Sequence, residues 1–133
     1  MKSEYQSERP KAMTSRRKKT IRAVMVRPRV QIGESITIDA GKIELLKQVE
    51  ATRSISAAAR AVGMSYKHAW LLIDSLTRGF GRPVVATATG GRGGGGAALT
   101  ELGGQLVQRY RAIEARVSLS ARADLKALRR LAG

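Results

Sequence analysis

The stretch that decides the fold runs from Ser54 to Trp70 and reads SISAAARAVGMSYKHAW. Ser54 and Ser56 are both good helix N-caps, because a serine oxygen can accept a hydrogen bond from a free backbone N–H. The alanines that follow are strong helix formers, and Gly63 stands where a helix would end in a left-handed residue. Ser65 is placed to cap a second helix. Two short helices joined by a turn that contains glycine predict a helix-turn-helix.

The second helix is expected to have an exposed first turn and a buried face further along. Tyr66, Lys67 and His68 occupy the first turn. The inward face is predicted to consist of Ala69, Trp70, Ile73, Leu76 and Phe80. We expect Trp70 in the core rather than at a binding surface, because we place it on one face with Ile73 and Phe80.

The residues before this pair predict a strand and then a helix. Apolar residues on even positions, broken by Gly33, are typical of a strand. They are Val30, Ile32, Ile36 and Ile38. Asp39 can cap the following helix, whose apolar face repeats about every three residues and which should end near Thr52.

The residues after the pair predict a β-hairpin. Residues 84–87 and 97–99 read as strands, and the glycine-rich residues 90–96 lie between them. A hairpin directly after a helix-turn-helix is a wing. Its glycines also match G-x-G-x-x-G, but the βαβ unit and the Lys-Ser/Thr ending of nucleotide-binding loops are absent, which argues against a nucleotide site. We expect Arg92 to contact phosphate or the minor groove. The alternative is a loop that is disordered in the free protein, which is compatible with ordering on DNA.

A long C-terminal helix should begin after Thr100. Its apolar seam consists of Leu102, Leu106, Tyr110, Ile113 and Val117. The seam is longer than a domain this small can cover, which favours a partner helix from a second subunit. The alternative is packing of its first turns against the helix of residues 42–51 in the same chain. Leucines repeat every three residues in the tail from Ser120, which should also be helical.

Composition narrows the classes of function. Among the 133 residues, 25 Lys and Arg against 10 Asp and Glu give a net charge of +15, which indicates a polyanionic partner, nucleic acid or an acidic membrane surface. The absence of Cys and the single His argue against disulfides and zinc sites. Aromatic residues make up only 4%, too few to favour a single-strand binder built on base stacking. No apolar run reaches the roughly 18 residues of a membrane span, so we expect a cytoplasmic, nucleoid-associated protein.

The charge is concentrated at the N-terminus, where residues 1–30 hold ten Lys and Arg against two acids. We interpret residues 1–28 as a disordered basic arm, which either adds phosphate contacts or only improves solubility. A true start at Met13 or Met25 is a further possibility. The remaining chain is then divided into a winged helix-turn-helix domain over residues 29–99 and a helical dimerisation segment over residues 100–133. The expected fold class is mainly α with a small β-wing.

Several of these stretches together resemble a known family. They are Ser54 to Ser56, Gly63 to Trp70, Thr87 to Ala97, the pair Leu99 and Thr100, and Gly103. They are similar to the DNA-binding domain of ModE-type molybdate-dependent transcriptional regulators, and more distantly to the helix-turn-helix of LysR-type regulators. The resemblance covers roughly residues 30–120 and implies a winged helix that dimerises on a palindromic operator. Regulators of that type continue into β-barrel repeats that bind molybdate. We expect no such region in this chain and no cofactor.

The residues predicted to contact DNA are Ser54, Ser56, Ser65, Tyr66, Lys67, His68 and Arg92. A helix in the major groove reads bases with its N-terminal residues, so Lys67 could donate to guanine or to a phosphate. The serines could instead serve only as caps, and His68 could be a solvated surface residue. We expect a transcriptional regulator and not an enzyme, since the acids form no recognisable catalytic pair. The alternatives are a nonspecific architectural DNA binder, a docking module for another regulator and, with less support, a membrane-surface protein.

Overall fold

The computed structural model describes residues 24–88 and 95–133. Residues 27–116 form one compact unit. The described part of a second unit comprises residues 24–26 and 117–133.

The first unit combines helices with two antiparallel hairpins. In chain order its elements are β1 (Val30–Ile32), β2 (Ile36–Ile38), α1 (Ala40–Thr52), α2 (Ile55–Val62), α3 (Tyr66–Phe80), β3 (Val85–Ala88), β4 (Gly96–Leu99) and α4 (Glu101–Ser120) as far as residue 116. In the first hairpin Val30 pairs with Ile38, and in the second Val85 pairs with Leu99. This confirms the prediction of a mainly helical winged helix-turn-helix.

The caps of the helix-turn-helix follow the sequence signals. The Ser54 side chain accepts from the backbone N–H of Ala57 at 3.0 Å, and the Ser65 side chain accepts from that of His68 at 3.0 Å. Gly63, between α2 and α3, has a φ of 75°, a left-handed conformation that glycine adopts without steric cost. Of the two candidate caps of α2, the structure therefore uses Ser54.

The core lies where α1, α2 and α3 meet the base of the second hairpin and α4. Its largest fully buried side chains belong to Ile43, Leu45, Leu46, Val49 and Val84. On α3 the buried residues are Ala69, Ile73 and Leu76, as predicted. The prediction for Trp70 is wrong, because 37% of its surface is exposed.

The first half of α4 belongs to this same core, which extends beyond the boundary predicted at residues 99 and 100. Gly103 packs so closely on the carbonyl oxygen of Val84 that a Cβ atom would collide with it. Further along, Tyr110 is only 3% exposed, and its hydroxyl donates to the Pro28 carbonyl oxygen at 2.7 Å. Burial is the main cause that raises the pKa of Tyr110, assisted by the nearby carboxylate of Glu114.

The second unit contains the helical tail that the leucine repeat predicts. This last helix, α5, spans Arg122–Ala132, and a break at Ala121 separates it from α4. Leu128 and Leu131 are both exposed on it. In the part of the chain that the structure describes, none of the helices is long and apolar enough to cross a membrane.

Candidate nucleic-acid interface

The first turn of α3 presents the predicted reading residues to solvent. Ser65, Tyr66, Lys67 and His68 are all exposed. The Ser65 cap uses one of the free N–H groups at this helix end, which fixes the direction in which the helix starts. Three side chains of different chemistry, a phenol, an ammonium and an imidazole, therefore project from one rigid helical turn.

The start of α2 lies beside this turn across an open groove of about 290 Å³. Ser54 and Ser56 line the groove from α2, Tyr66 and Trp70 from α3, and Thr87 and Gly96 from the wing. The structure thus brings Ser54, Ser56 and Tyr66, all predicted to contact DNA, together at one groove. The Ser56 hydroxyl accepts from the Arg60 guanidinium at 3.1 Å, so it has a partner other than the cap.

Trp70 is the functional candidate that the sequence reasoning misplaced. Its ring meets that of Tyr66 edge to face, with centroids 6.3 Å apart. The signal was present, because residues four apart share one face of a helix and Tyr66 was already expected to be exposed. The pair forms an aromatic wall of the groove, although Tyr66 remains 55% exposed.

A hydrogen bond to the backbone of Arg53 connects the wing to the helices. The N–H of Ala97 donates to the Arg53 carbonyl oxygen at 3.0 Å. Arg53 is the one described non-glycine residue with a positive φ, at 60°, as it ends α1. Its backbone thereby sets the position of β4 relative to the start of α2. Arg92, predicted at the wing tip, lies outside the described residues.

The charge of this region is strongly one-sided. Between Glu50 and Glu101 the sequence has a single acid, Asp74, against six Lys and Arg. Asp74 forms an ion pair with Arg78 at 3.0 Å, on the same helix. Lys67, Arg53 and Arg60 are exposed, and Arg60 donates to the groove residue Ser56. A surface with basic groups and few acids attracts a polyanion and gives it no repulsive contact.

Comparison with known proteins agrees with this geometry. Residues 41–104 match the family model for bacterial regulatory helix-turn-helix proteins of the lysR family. Over these residues the chain is similar to the helix-turn-helix proteins of that family. The match begins in the first turn of α1 and ends in the first turn of α4, so it includes α2, α3 and the wing.

The chain is also similar to curated proteins. It is 48% identical over 79 residues to the molybdenum-pterin-binding protein MopB of Rhodobacter capsulatus, covering 59% of this chain and 29% of that protein. It is 42% identical over 81 residues to the transcriptional regulator ModE of Yersinia pestis, covering 61% of this chain and 31% of that protein. It is 40% identical over 81 residues to the DNA-binding transcriptional dual regulator ModE of Escherichia coli (strain K12), again covering 61% of this chain and 31% of that protein. The chain thus spans less than a third of the length of these relatives, and the predicted resemblance is confirmed.

The residues predicted at a dimer interface divide into two groups along α4. Tyr110 is buried in its own chain, and Leu102 and Leu106 are half-buried against the same core. Ile113 and Val117 are each 38% exposed. Packing within the chain therefore accounts for the first turns of α4, whose contacts include Val84 and Pro28. Packing against the helix of residues 42–51, which the alternative named, stays a prediction.

Within the described residues, no group of three or more His, Cys, Asp or Glu side chains is arranged to hold a metal ion. The chemistry that the described groove does present is that of hydroxyl groups and aromatic rings, with cations on neighbouring residues.

Proposed function

We propose that this protein is a sequence-specific regulator of transcription that binds duplex DNA through α3 and the wing, as a dimer on a palindromic operator. The observation that carries the proposal is the exposed first turn of α3, where Tyr66, Lys67 and His68 stand within a surface almost free of acids. An α-helix fits the major groove, and its N-terminal residues reach the base edges. The ModE relatives are named as regulators of transcription, which supports the same role.

The roles of the three side chains follow from their chemistry. Lys67 donates to guanine O6 or N7, the strongest hydrogen-bond acceptors in the major groove. Tyr66 provides a ring edge for a thymine methyl group and a hydroxyl for a phosphate. His68 donates to a base or to the backbone. Ser54 and Ser56 provide hydroxyls on the neighbouring helix, from which phosphate oxygens can accept hydrogen bonds.

Two-fold symmetry would place two copies of α3 in successive major grooves, roughly 34 Å apart. The exposed Ile113 and Val117 on α4 support pairing of this helix with its copy in a second subunit. Ile113→Glu should therefore give monomers in light scattering, because a carboxylate would be buried in the pair. Ala115→Glu adds the same charge on the opposite face of α4 and should leave the dimer intact. Dimers of both variants would contradict this interface.

Selection of bound sequences from a pool of random duplexes tests the proposed function. The expected result is a motif with two similar half-sites in inverted order. Because the proposal includes no cofactor, the same motif should emerge with and without molybdate. The absence of any enriched motif would favour the architectural alternative, in which phosphate contacts supply all of the affinity. A motif with a single half-site would contradict binding as a dimer, but not the recognition of bases by α3.

A further inference from the structure

The groove between α3 and the wing is built for a different part of the DNA than the base edges. Its walls are the aromatic pair Tyr66 and Trp70 on one side and wing residues with small side chains, Ala88, Gly96 and Ala97, on the other. Hydroxyls of Ser54, Ser56 and Thr87 lie along it. We propose that this groove holds one sugar–phosphate strand of the duplex, and that Trp70 is a backbone contact which packs against its deoxyribose. This inference rests on the proposed function.

The exposure of Trp70 is the first argument. A large aromatic side chain is normally well buried, and an exposed apolar cluster in a soluble domain often marks a binding surface. Of the four aromatic residues in the described part of the chain, two, Tyr66 and Trp70, lie exposed side by side on this surface. Their edge-to-face contact holds the indole in a fixed orientation before any ligand arrives, which lowers the entropy lost on binding.

The place of the groove in the domain is the second argument. One sugar–phosphate strand separates a major groove from the adjacent minor groove. A helix in the first and a wing at the second must therefore have that strand between them. The groove lies between α3 and β3–β4, where that strand would pass. The glycine and alanine residues of the wing wall have little or no side chain, so the strand can approach the wing closely.

Charge and size favour this occupant over a small molecule. Arg53 and Lys67 are next in sequence to the groove residues Ser54 and Tyr66, and Arg60 donates to the groove residue Ser56. The sequence has no acid between Glu50 and Asp74. The groove, of about 290 Å³, is at the small end of the range for ligand pockets and is open to solvent, whereas such pockets bury most of the ligand's surface. A strand that crosses it needs room for only one or two sugar–phosphate units.

Equilibrium binding by the full chain to two labelled duplexes tests the inference, one selected by the protein and one scrambled with the same composition. Because a backbone contact carries no base information, Trp70→Ala should raise Kd by about fivefold or more on both duplexes. Trp70→Phe keeps an aromatic ring in the groove and should remain within about threefold of the wild type. Ile32→Ala removes an exposed apolar side chain outside the groove and should change neither Kd.

Trp70 is also the only tryptophan in the chain, so its fluorescence reports on the groove directly. Either duplex should change the wild-type emission, whereas inorganic phosphate alone should not. Melting temperatures of the variants near that of the wild type show that the fold is intact. A Trp70→Ala chain that binds both duplexes like the wild type would overturn the inference, and so would a loss confined to the selected duplex. A wild-type chain that binds neither duplex would instead overturn the proposed function itself.

Discussion

Substitution of Lys67 by alanine separates base reading from simple charge attraction. Lys67 is exposed in the first turn of α3, and among the described residues it takes part in no ion pair. Its loss should therefore change the free energy of unfolding by no more than about 0.5 kcal/mol, as at other surface positions. If the ammonium donates to a guanine, the variant should lose about 1–3 kcal/mol of binding free energy on the selected operator. That range corresponds to roughly a 5-fold to 150-fold rise in Kd.

Fluorescence anisotropy with the selected and the scrambled duplex measures this loss at several salt concentrations. Lys47→Ala is the matched control, because it removes the same charge from α1, where Lys47 is paired with Glu44 at 3.1 Å. The control should weaken both complexes slightly and equally. Equal losses for Lys67→Ala on both duplexes, with a fall of about 0.9 in the log–log salt slope, would refute base reading and leave a phosphate contact.

Three further predictions concern the fold and the arm. Gly103→Ala should lower the melting temperature by several degrees, because the added Cβ atom would collide with the Val84 carbonyl. Gly104→Ala places its Cβ atom in open space and should leave the melting temperature unchanged or raise it. Equal effects of the two substitutions would contradict the close packing of α4. Tyr110→Phe should cost about 0.5–1.5 kcal/mol of unfolding free energy in denaturant titrations. The folded state raises the pKa of Tyr110, so the neutral phenol should stabilise the wild type fully below pH 10. As pH rises further, the difference in unfolding free energy between the wild type and Tyr110→Phe should shrink. A difference that stays constant up to high pH would contradict the burial of the phenol. Deleting residues 1–22, which carry eight Lys and Arg, should reduce the salt dependence of DNA binding without changing the melting temperature, and an unchanged slope would remove this segment from the interface.

Local signals in the sequence were sufficient for the helix-turn-helix. The caps at Ser54 and Ser65 and the left-handed Gly63 depend on neighbours within a few residues, so their chemistry can be read directly from the chain. The same holds for Asp39, which accepts from the backbone N–H of Lys42 at 3.0 Å at the start of α1. Periodicity also identified the buried face of α3, apart from Trp70.

Trp70 lies at the edge of the apolar face of α3, where helical spacing gives two answers. Its spacing of three from Ile73 predicts the core, whereas its spacing of four from Tyr66 predicts the exposed face. The structure shows the second arrangement, with Trp70 against Tyr66. The groove that they line could not be predicted, because its opposite wall comes from the wing, whose position depends on a hydrogen bond to the Arg53 backbone.

The domain boundary was missed for a related reason. The contacts that place the first half of α4 in the core are distant in sequence, since Tyr110 and Pro28 are 82 positions apart and Gly103 packs on Val84. The pattern of α4 shows an apolar seam but not which half of it is covered. The structure covers Leu102, Leu106 and Tyr110 with the core of the same unit. Dimerisation through Ile113 and Val117 stays a prediction.

The ratio of dissociation constants for the scrambled and the selected duplex, measured at one salt concentration near 0.15 M, tests the central claim most directly. If α3 reads bases in the major groove, the selected duplex should bind about a thousandfold or more tightly, the lower end of the range for specific DNA-binding proteins. A ratio near one would contradict sequence-specific regulation and leave a basic protein that binds the DNA backbone.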